Sequence, residues 1–174
     1  TDDNSITVNN RFATSCYGQD QLDWLAYVAL DMPEGYGAVI TAHVPPNVTY
    51  TVDKVQLIGI INAYCRKTTY NGSYTAGVEG WTNNSVNVDF TNAKGEIIAM
   101  FTGHVHQDTI DTTTLACPLI TIISAGAQVN AGEIPERTFG TDTETSFDVV
   151  TINRKTRTIY LTRVGWGEDR VVKY

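Results

Sequence analysis

The sequence is 174 residues long, with 42% hydrophobic and 18% charged residues, the composition of an ordinary soluble globular chain. This length predicts one domain, or part of one, with a substantial hydrophobic core. The net charge of −7 and the pI of about 4.8 argue against a large surface for nucleic acid or anionic membrane. No apolar run reaches transmembrane length. A phosphate-bearing substrate stays compatible with this charge, because bound divalent cations would reverse it locally.

The first predicted elements alternate between helix and strand. Gly18 is a suitable N-cap for an amphipathic helix, which Met32–Gly35 ends. An apolar strand follows from Tyr36 to Ala42, with His43 directly after it. A second amphipathic helix is predicted from Thr51, a candidate N-cap, to about Lys67. This helix–strand–helix order is typical of layered α/β proteins.

The rest of the chain is predicted to be mostly strands and loops. A polar stretch rich in glycine and tyrosine shows no periodicity and is predicted to be a loop, either ordered over a site or a surface insertion. The second half ends in a hairpin of two alternating strands and a turn-rich tail. The overall prediction is a mixed, layered α/β fold. In chain order, the loop is Thr68–Asn84, the strands are Ser85–Phe90, Glu96–Phe101 and Pro118–Ser124, a long loop is Ala125–Thr143, and the hairpin strands are Phe147–Ile152 and Thr158–Arg163.

All three histidines of the chain follow predicted strands. His104 and His106 come after the strand that ends at Phe101, and Gly103 allows the backbone to bend there. In extended backbone, residues i and i+2 point to the same face. Adjacent parallel strands would then bring His43 to the same edge, where α/β proteins place their sites. The H-x-H pattern alone is common, so the prediction of a metal site depends on this shared placement. Three imidazoles without carboxylates suit Zn, Mn, Fe or Ni better than Mg²⁺ or Ca²⁺.

With these segments identified, the chain resembles the calcineurin-like metallophosphoesterases, and most of all those carried by phages and prophages of Gram-positive bacteria. The resemblance lies in Gln21–Leu25, in Ile40–Pro45, in Gly103–His106 and in the closing hairpin from Phe147 to Gly165. It extends over nearly the whole chain. It implies the C-terminal half of that family's layered β-sandwich, with mixed sheets, flanking helices and a C-terminal β-hairpin.

The resemblance also implies the ligands of a dinuclear site. His43 and His104 would bind one divalent metal and His106 would bind the other, while Asp108 receives no role. Two such metals would clamp phosphoryl oxygens and activate a bound water, so the implied activity is hydrolysis of a phosphomonoester or phosphodiester. Mn, Fe, Zn or Ni would serve as the metal.

The family's N-terminal motifs, D-x-H, G-D-x-x-D and G-N-H-D/E, do not occur in this chain. Two of them need histidines, and all three histidines are already assigned. The resemblance therefore implies that a missing N-terminal half of the domain supplies the bridging aspartate and the catalytic histidine, which the start at Thr1 without a methionine would fit. Without a bridging carboxylate two dications repel each other, so the chain alone should bind at most one metal, weakly, and be inactive.

A rival prediction is a non-catalytic structural or carbohydrate-binding module of a phage or cell-surface protein. It rests on Tyr70, Tyr74 and Trp81 in the aromatic loop and on Trp166 in the tail, because exposed aromatic rings stack on sugars. On this interpretation the histidines would be dispensable. A nuclease is compatible with the phosphoesterase class, but no basic stripe with interleaved aromatic residues supports it. A phage-associated or bacterial cytoplasmic location fits either prediction.

Overall fold

The structure, a computed structural model, describes residues 15–49, 51–75, 84–126 and 137–174. These residues form a mixed α/β arrangement, which confirms the predicted class. The elements in chain order are α1 (Gln19–Trp24), which continues as a π-helical segment (Leu25–Ala29), β1 (Gly37–Thr41), α2 (Lys54–Arg66), β2 (Thr69–Tyr74), β3 (Asn84–Asp89), β4 (Glu96–Thr102), β5 (Thr109–Asp111), β6 (Leu119–Thr121), β7 (Ser146–Asn153), β8 (Thr158–Gly165) and β9 (Arg170–Lys173).

The strands of the described residues form three sheets. The largest has the order β1-β4-β6-β5, with β1, β4 and β6 parallel and β5 antiparallel to β6. Strands β2 and β3 form an antiparallel pair, and β7, β8 and β9 form an antiparallel three-stranded sheet. Strand β4 is buried from its second residue to its last, as expected of a parallel strand covered on two faces.

Two hydrophobic cores lie on opposite sides of β4. Ile97 and Met100 pack with the helices and with β3, in a core that contains the fully buried Tyr64. Ile98 and Phe101 pack instead with the C-terminal sheet. Strand β4 therefore joins a helical layer to a sheet layer, with an irregularity in its pairing to β1 between Ala38 and Val39. None of the helices in the described ranges has the length and apolar character needed to cross a membrane.

The two predicted helices are present, but the N-cap of the second differs from the prediction. The N-cap of α2 is Asp53 rather than Thr51. The Asp53 carboxylate does not cap its own helix; it accepts hydrogen bonds from the backbone N–H groups of Tyr17 and Gly18 at the start of α1. Thr51 is buried, and its hydroxyl lies 3.0 Å from that of Ser15. Tertiary contacts between the two helix starts therefore decide which residue occupies the cap.

Several strands lie in stretches that the sequence predicts to be loop or tail. Strand β2 occupies the start of the polar stretch and pairs with β3 along its whole length, while β5 and β9 are short edge strands. Their residues are mostly polar or exposed, so they lack the apolar alternation that marks a strand in a sequence. Strands β3 and β4 belong to different sheets, so the turn between them joins two layers rather than forming a hairpin. Part of the long loop, and Trp81, lie outside the described residues.

Candidate metal centre

The carboxyl ends of β1 and β4 lie side by side at one edge of the largest sheet. The parallel pairing brings Thr41 opposite Phe101. Backbone hydrogen bonds continue this ladder past the strands, because the N–H of Ala42 donates to Phe101 O at 3.1 Å and the N–H of Gly103 donates to His43 O at 2.9 Å. The backbone of His43 is thus tied to the residue that precedes His104.

His43 and His104 meet at this edge. A hydrogen bond of 3.1 Å joins Nε2 of His43 and Nδ1 of His104, and the rings are 5.0 Å apart between centroids and nearly perpendicular. Zinc–imidazole bonds are about 2.0–2.1 Å long, so two nitrogens on one metal at octahedral or tetrahedral angles lie about 2.9–3.4 Å apart. The observed separation falls within this range. His43 is exposed and His104 is half-buried, so both are near solvent.

The backbone after β4 is not extended, so the argument that placed His104 and His106 on one face is wrong. His104 has φ of 67° and His106 has φ of 53°, both in the left-handed region that costs an ordinary residue about 1–2 kcal/mol. The N–H of Val105 donates to Gly103 O at 2.8 Å, which closes a tight turn at the glycine. Strained residues of this kind cluster at functional sites.

Two of the three predicted ligands meet at this edge. Within the described part of the chain, no group of three or more His, Cys, Asp or Glu side chains is placed to hold a metal ion. The structure therefore brings His43 and His104 together, and it does not assemble a three-imidazole cluster with His106. Binding of a metal by any of the three remains a prediction.

Asp108, to which the sequence assigned no role, anchors the far end of the histidine turn. Its carboxylate pairs with Arg163 at 2.7 Å and with Arg170 at 2.9 Å, and its Oδ1 accepts the N–H of Ile123 at 3.1 Å. Asp148 also pairs with both arginines. The segment after the histidines is thus fixed to the C-terminal sheet through two carboxylates and two guanidinium groups.

This cluster of four charges, the Arg163 cluster, is largely withdrawn from water. The Asp148 side chain is 0% exposed and that of Arg163 is 2% exposed. Burial alone would lower the pKa of Arg163, but hydrogen bonds to Asp148 and Asp108 raise it above its ordinary value. Arg163 also donates to Ser146 Oγ and to the carbonyl of Trp166. The sequence carried no signal for this cluster, since its members are far apart in the chain and show no motif.

Tyr17 supports the site from the other side. Its hydroxyl donates to the carbonyl of Val44, the residue after His43, at 2.8 Å, and its backbone N–H donates to both oxygens of Asp53. Burial raises the pKa of Asp53, although hydrogen bonds from Tyr17 and Gly18 act in the opposite direction. The exit of the chain from His43 is therefore held by the start of α1.

An apolar cleft of about 370 Å³ lies between α1 and β1. Trp24, Leu25 and Met100 contribute to its lining, and it reaches Ala42, the residue before His43. A ligand held at the histidine pair would have an apolar wall beside it.

Of the aromatic residues behind the carbohydrate-binding alternative, Tyr70 has a packing role. The ring of Tyr70 lies over α2 at Gly59, where an added Cβ would come within 2.2 Å of it. The Tyr70 hydroxyl donates to Val55 O at 3.2 Å. Tyr70 is therefore a packing residue, and Gly59 is the glycine that lets it approach the helix. Tyr74 and Trp166 are half-buried.

A scan of the chain against protein-family models, a search of curated proteins and a search of solved structures each give no match. The resemblance to metallophosphoesterases therefore stays a prediction from the sequence, and the histidine pair has to be judged on its own geometry.

Proposed function

We propose that this chain supplies the histidine half of a divalent-metal centre that hydrolyses phosphate esters. The observation that carries the proposal is the 3.1 Å separation between His43 Nε2 and His104 Nδ1 at the carboxyl edge of two parallel strands. That distance suits two ligands of one metal, and the resemblance assigns these two residues to one metal.

The chemistry of the donor set favours a transition metal. Neutral imidazole nitrogens suit Zn²⁺, Mn²⁺, Fe or Ni, whereas Mg²⁺ and Ca²⁺ prefer oxygen ligands. When bound, a pair of such metals would act as a Lewis acid toward phosphoryl oxygens. It would also lower the pKa of a water enough for hydroxide to be available as the nucleophile at neutral pH.

The chain's own residues would hold and orient this centre. The β1–β4 ladder fixes the backbone at His43, and the Arg163 cluster fixes the segment after His106 through Asp108. Two imidazoles are too few for a complete site. We therefore assign the remaining ligands, the bridging carboxylate and the catalytic histidine to an N-terminal half of the domain, and the chain alone should not turn over substrate.

Zinc titration followed by NMR tests the ligand assignment. Long-range ¹H–¹⁵N spectra of the imidazoles should show Zn²⁺ shifting Nε2 of His43 and Nδ1 of His104. His43→Ala and His104→Ala should each weaken binding by more than the roughly 10- to 100-fold that loss of a supporting residue costs. His106→Ala should leave the first metal bound. Unchanged affinity in His104→Ala would refute the assignment.

Hydrolysis of an aryl phosphodiester with Mn²⁺ tests the division of labour. The chain alone should show no turnover above the metal background. Robust turnover by the chain alone, lost in His104→Ala, would show that no further segment is needed. Metal binding that is indifferent to all three histidines, together with binding to a glycan array, would favour the non-catalytic module instead.

A further inference from the structure

A second group of reactive side chains lies at the amino ends of the parallel strands of the largest sheet, opposite the histidine pair. Cys65 is in the last turn of α2, and Cys117 lies two residues before β6. Both cysteines line one cavity of about 120 Å³, and their thiols interact closely enough to shift each other's pKa. This edge holds the amino ends of β4 and β6, whereas the histidine pair follows the carboxyl ends of β1 and β4. The two places are therefore distinct.

The two cysteines differ in exposure. Cys117 is buried, while Cys65 is half-buried at the cavity. Of the two residues, Cys65 is therefore the more open to an oxidant, and Cys117 lines the same cavity behind it. This is the arrangement of an attacking and a resolving cysteine.

The surroundings of Cys65 favour its thiolate. Interaction with the Cys117 thiol lowers the pKa of Cys65, burial opposes this, and the charges of Lys67 and Arg66 lower it further. Interaction with Cys65 and burial raise the pKa of Cys117, so Cys117 is the partner that keeps its proton. The thiolate is the reactive form of cysteine.

Two other charged groups at the cavity largely neutralise each other. Glu96 and Arg157 both line it, and they form an ion pair with an N···O distance of 2.8 Å. The guanidinium group of Arg157 also lies over the ring of Tyr174. Lys67 also lines the cavity, and its ammonium group donates to Gly95 O at 2.5 Å.

We propose that Cys65 and Cys117 form a redox-active dithiol that a hydroperoxide converts to a disulfide. The Cys65 thiolate attacks one oxygen of the peroxide, the S–O bond forms, the O–O bond breaks, and hydroxide (or alkoxide) leaves and takes up a proton. Cys117 then loses its proton and attacks the Cys65 sulfur, the S–S bond forms, and the oxygen departs as water. The two electrons lost by the sulfurs reduce the peroxide.

Peptide mapping after peroxide treatment tests the pairing directly. Trypsin separates the three cysteines, placing Cys16 on residues 12–54, Cys65 on 55–66 and Cys117 on 95–137. The folded chain should be treated with hydrogen peroxide, blocked with an alkylating agent and digested without reduction. A cross-linked pair of the peptides 55–66 and 95–137 is expected, with Cys16 still alkylated. Cross-links that involve Cys16 equally, or none at all, would overturn the proposal.

Three variants separate the roles of the residues. Cys117→Ser should stop at a sulfenic acid on Cys65 that dimedone traps, while Cys65→Ser should leave Cys117 unreactive. Cys16→Ser is the matched control and should form the disulfide as the parent does. Lys67→Asn, which removes the charge with a residue that tolerates left-handed backbone, should slow oxidation roughly threefold. Circular dichroism of each variant confirms that it is folded, and equal trapping at Cys65 and Cys117 would contradict the assigned order.

Discussion

Replacing Asp148 by asparagine tests how much the buried Arg163 cluster, which fixes the segment after the histidines, stabilises the fold. In the folded chain, Asp148 Oδ1 accepts from Arg163 Nε at 2.8 Å, and Oδ2 accepts from Arg163 and Arg170. The asparagine keeps the size of the side chain but removes its charge. Two guanidinium groups would then share only the carboxylate of Asp108.

The size of the effect follows from burial. Asp148 is 0% and Arg163 is 2% exposed, and removing one partner of such a buried pair costs about 3–5 kcal/mol, because it leaves an uncompensated charge in the interior. With a urea m-value of about 2 kcal/mol/M, this loss lowers the unfolding midpoint by about 1.5–2.5 M.

Glu96 provides a matched control, since it too is one carboxylate that pairs with two arginines. Its partners Arg154 and Arg157 are 51% and 54% exposed, and Glu96 itself is 28% exposed. Exposed pairs contribute about 0–1 kcal/mol, so Glu96→Gln should lower the urea midpoint by no more than about 0.5 M. Salt should weaken the effect of Glu96→Gln and leave that of Asp148→Asn almost unchanged.

Urea unfolding of the parent and of the two variants, followed by circular dichroism, measures all three midpoints. A midpoint of Asp148→Asn that falls no further than that of Glu96→Gln would refute the reasoning, because it would mean that burial does not decide the value of this carboxylate.

Three further predictions concern the turn at Gly165, the acid stability that depends on Asp111, and the hydrogen bond from Tyr17 to the chain after His43. Gly165→Ala should lower the free energy of unfolding by about 2–3 kcal/mol, because an added Cβ would lie 1.9 Å from a backbone oxygen and φ is +88°. Gly140 also has positive φ but faces open space, so Gly140→Ala should lower it by only about 1 kcal/mol, as measured by thermal unfolding. Burial would raise the pKa of Asp111, but hydrogen bonds from nearby threonines lower it below its usual 3.8. The stabilising contribution of the Asp111 carboxylate is therefore present above pH 3.8 and is lost as the pH falls below it. Asp111→Asn should be less stable than the parent at pH 7, and the two stabilities should converge in acid. Tyr17→Phe removes the hydrogen bond to Val44 O and should weaken zinc binding roughly tenfold; an unchanged zinc isotherm would contradict a positioning role.

The sequence by itself determined the elements whose side chains show a clear period. The two helices and the hairpin of β7 and β8 were predicted from the spacing of their apolar residues. Burial of one face requires apolar residues with a period of 3.6 in a helix or 2 in a strand. The strand before His43 and the strand before His104 were predicted from short, continuous apolar runs. Their parallel pairing, which the placement of the histidines suggested, is what the structure shows.

Only the tertiary structure decided the features that depend on partners distant in the chain. Strand β2 has polar residues and exists because β3 pairs with it. The backbone is left-handed at His104 and at His106, where the sequence predicts extended chain. The Arg163 cluster joins Asp108 to residues 40 or more positions later. A sequence records the local period of burial, whereas pairing, backbone turns and buried charge are settled by neighbours that only the folded chain supplies.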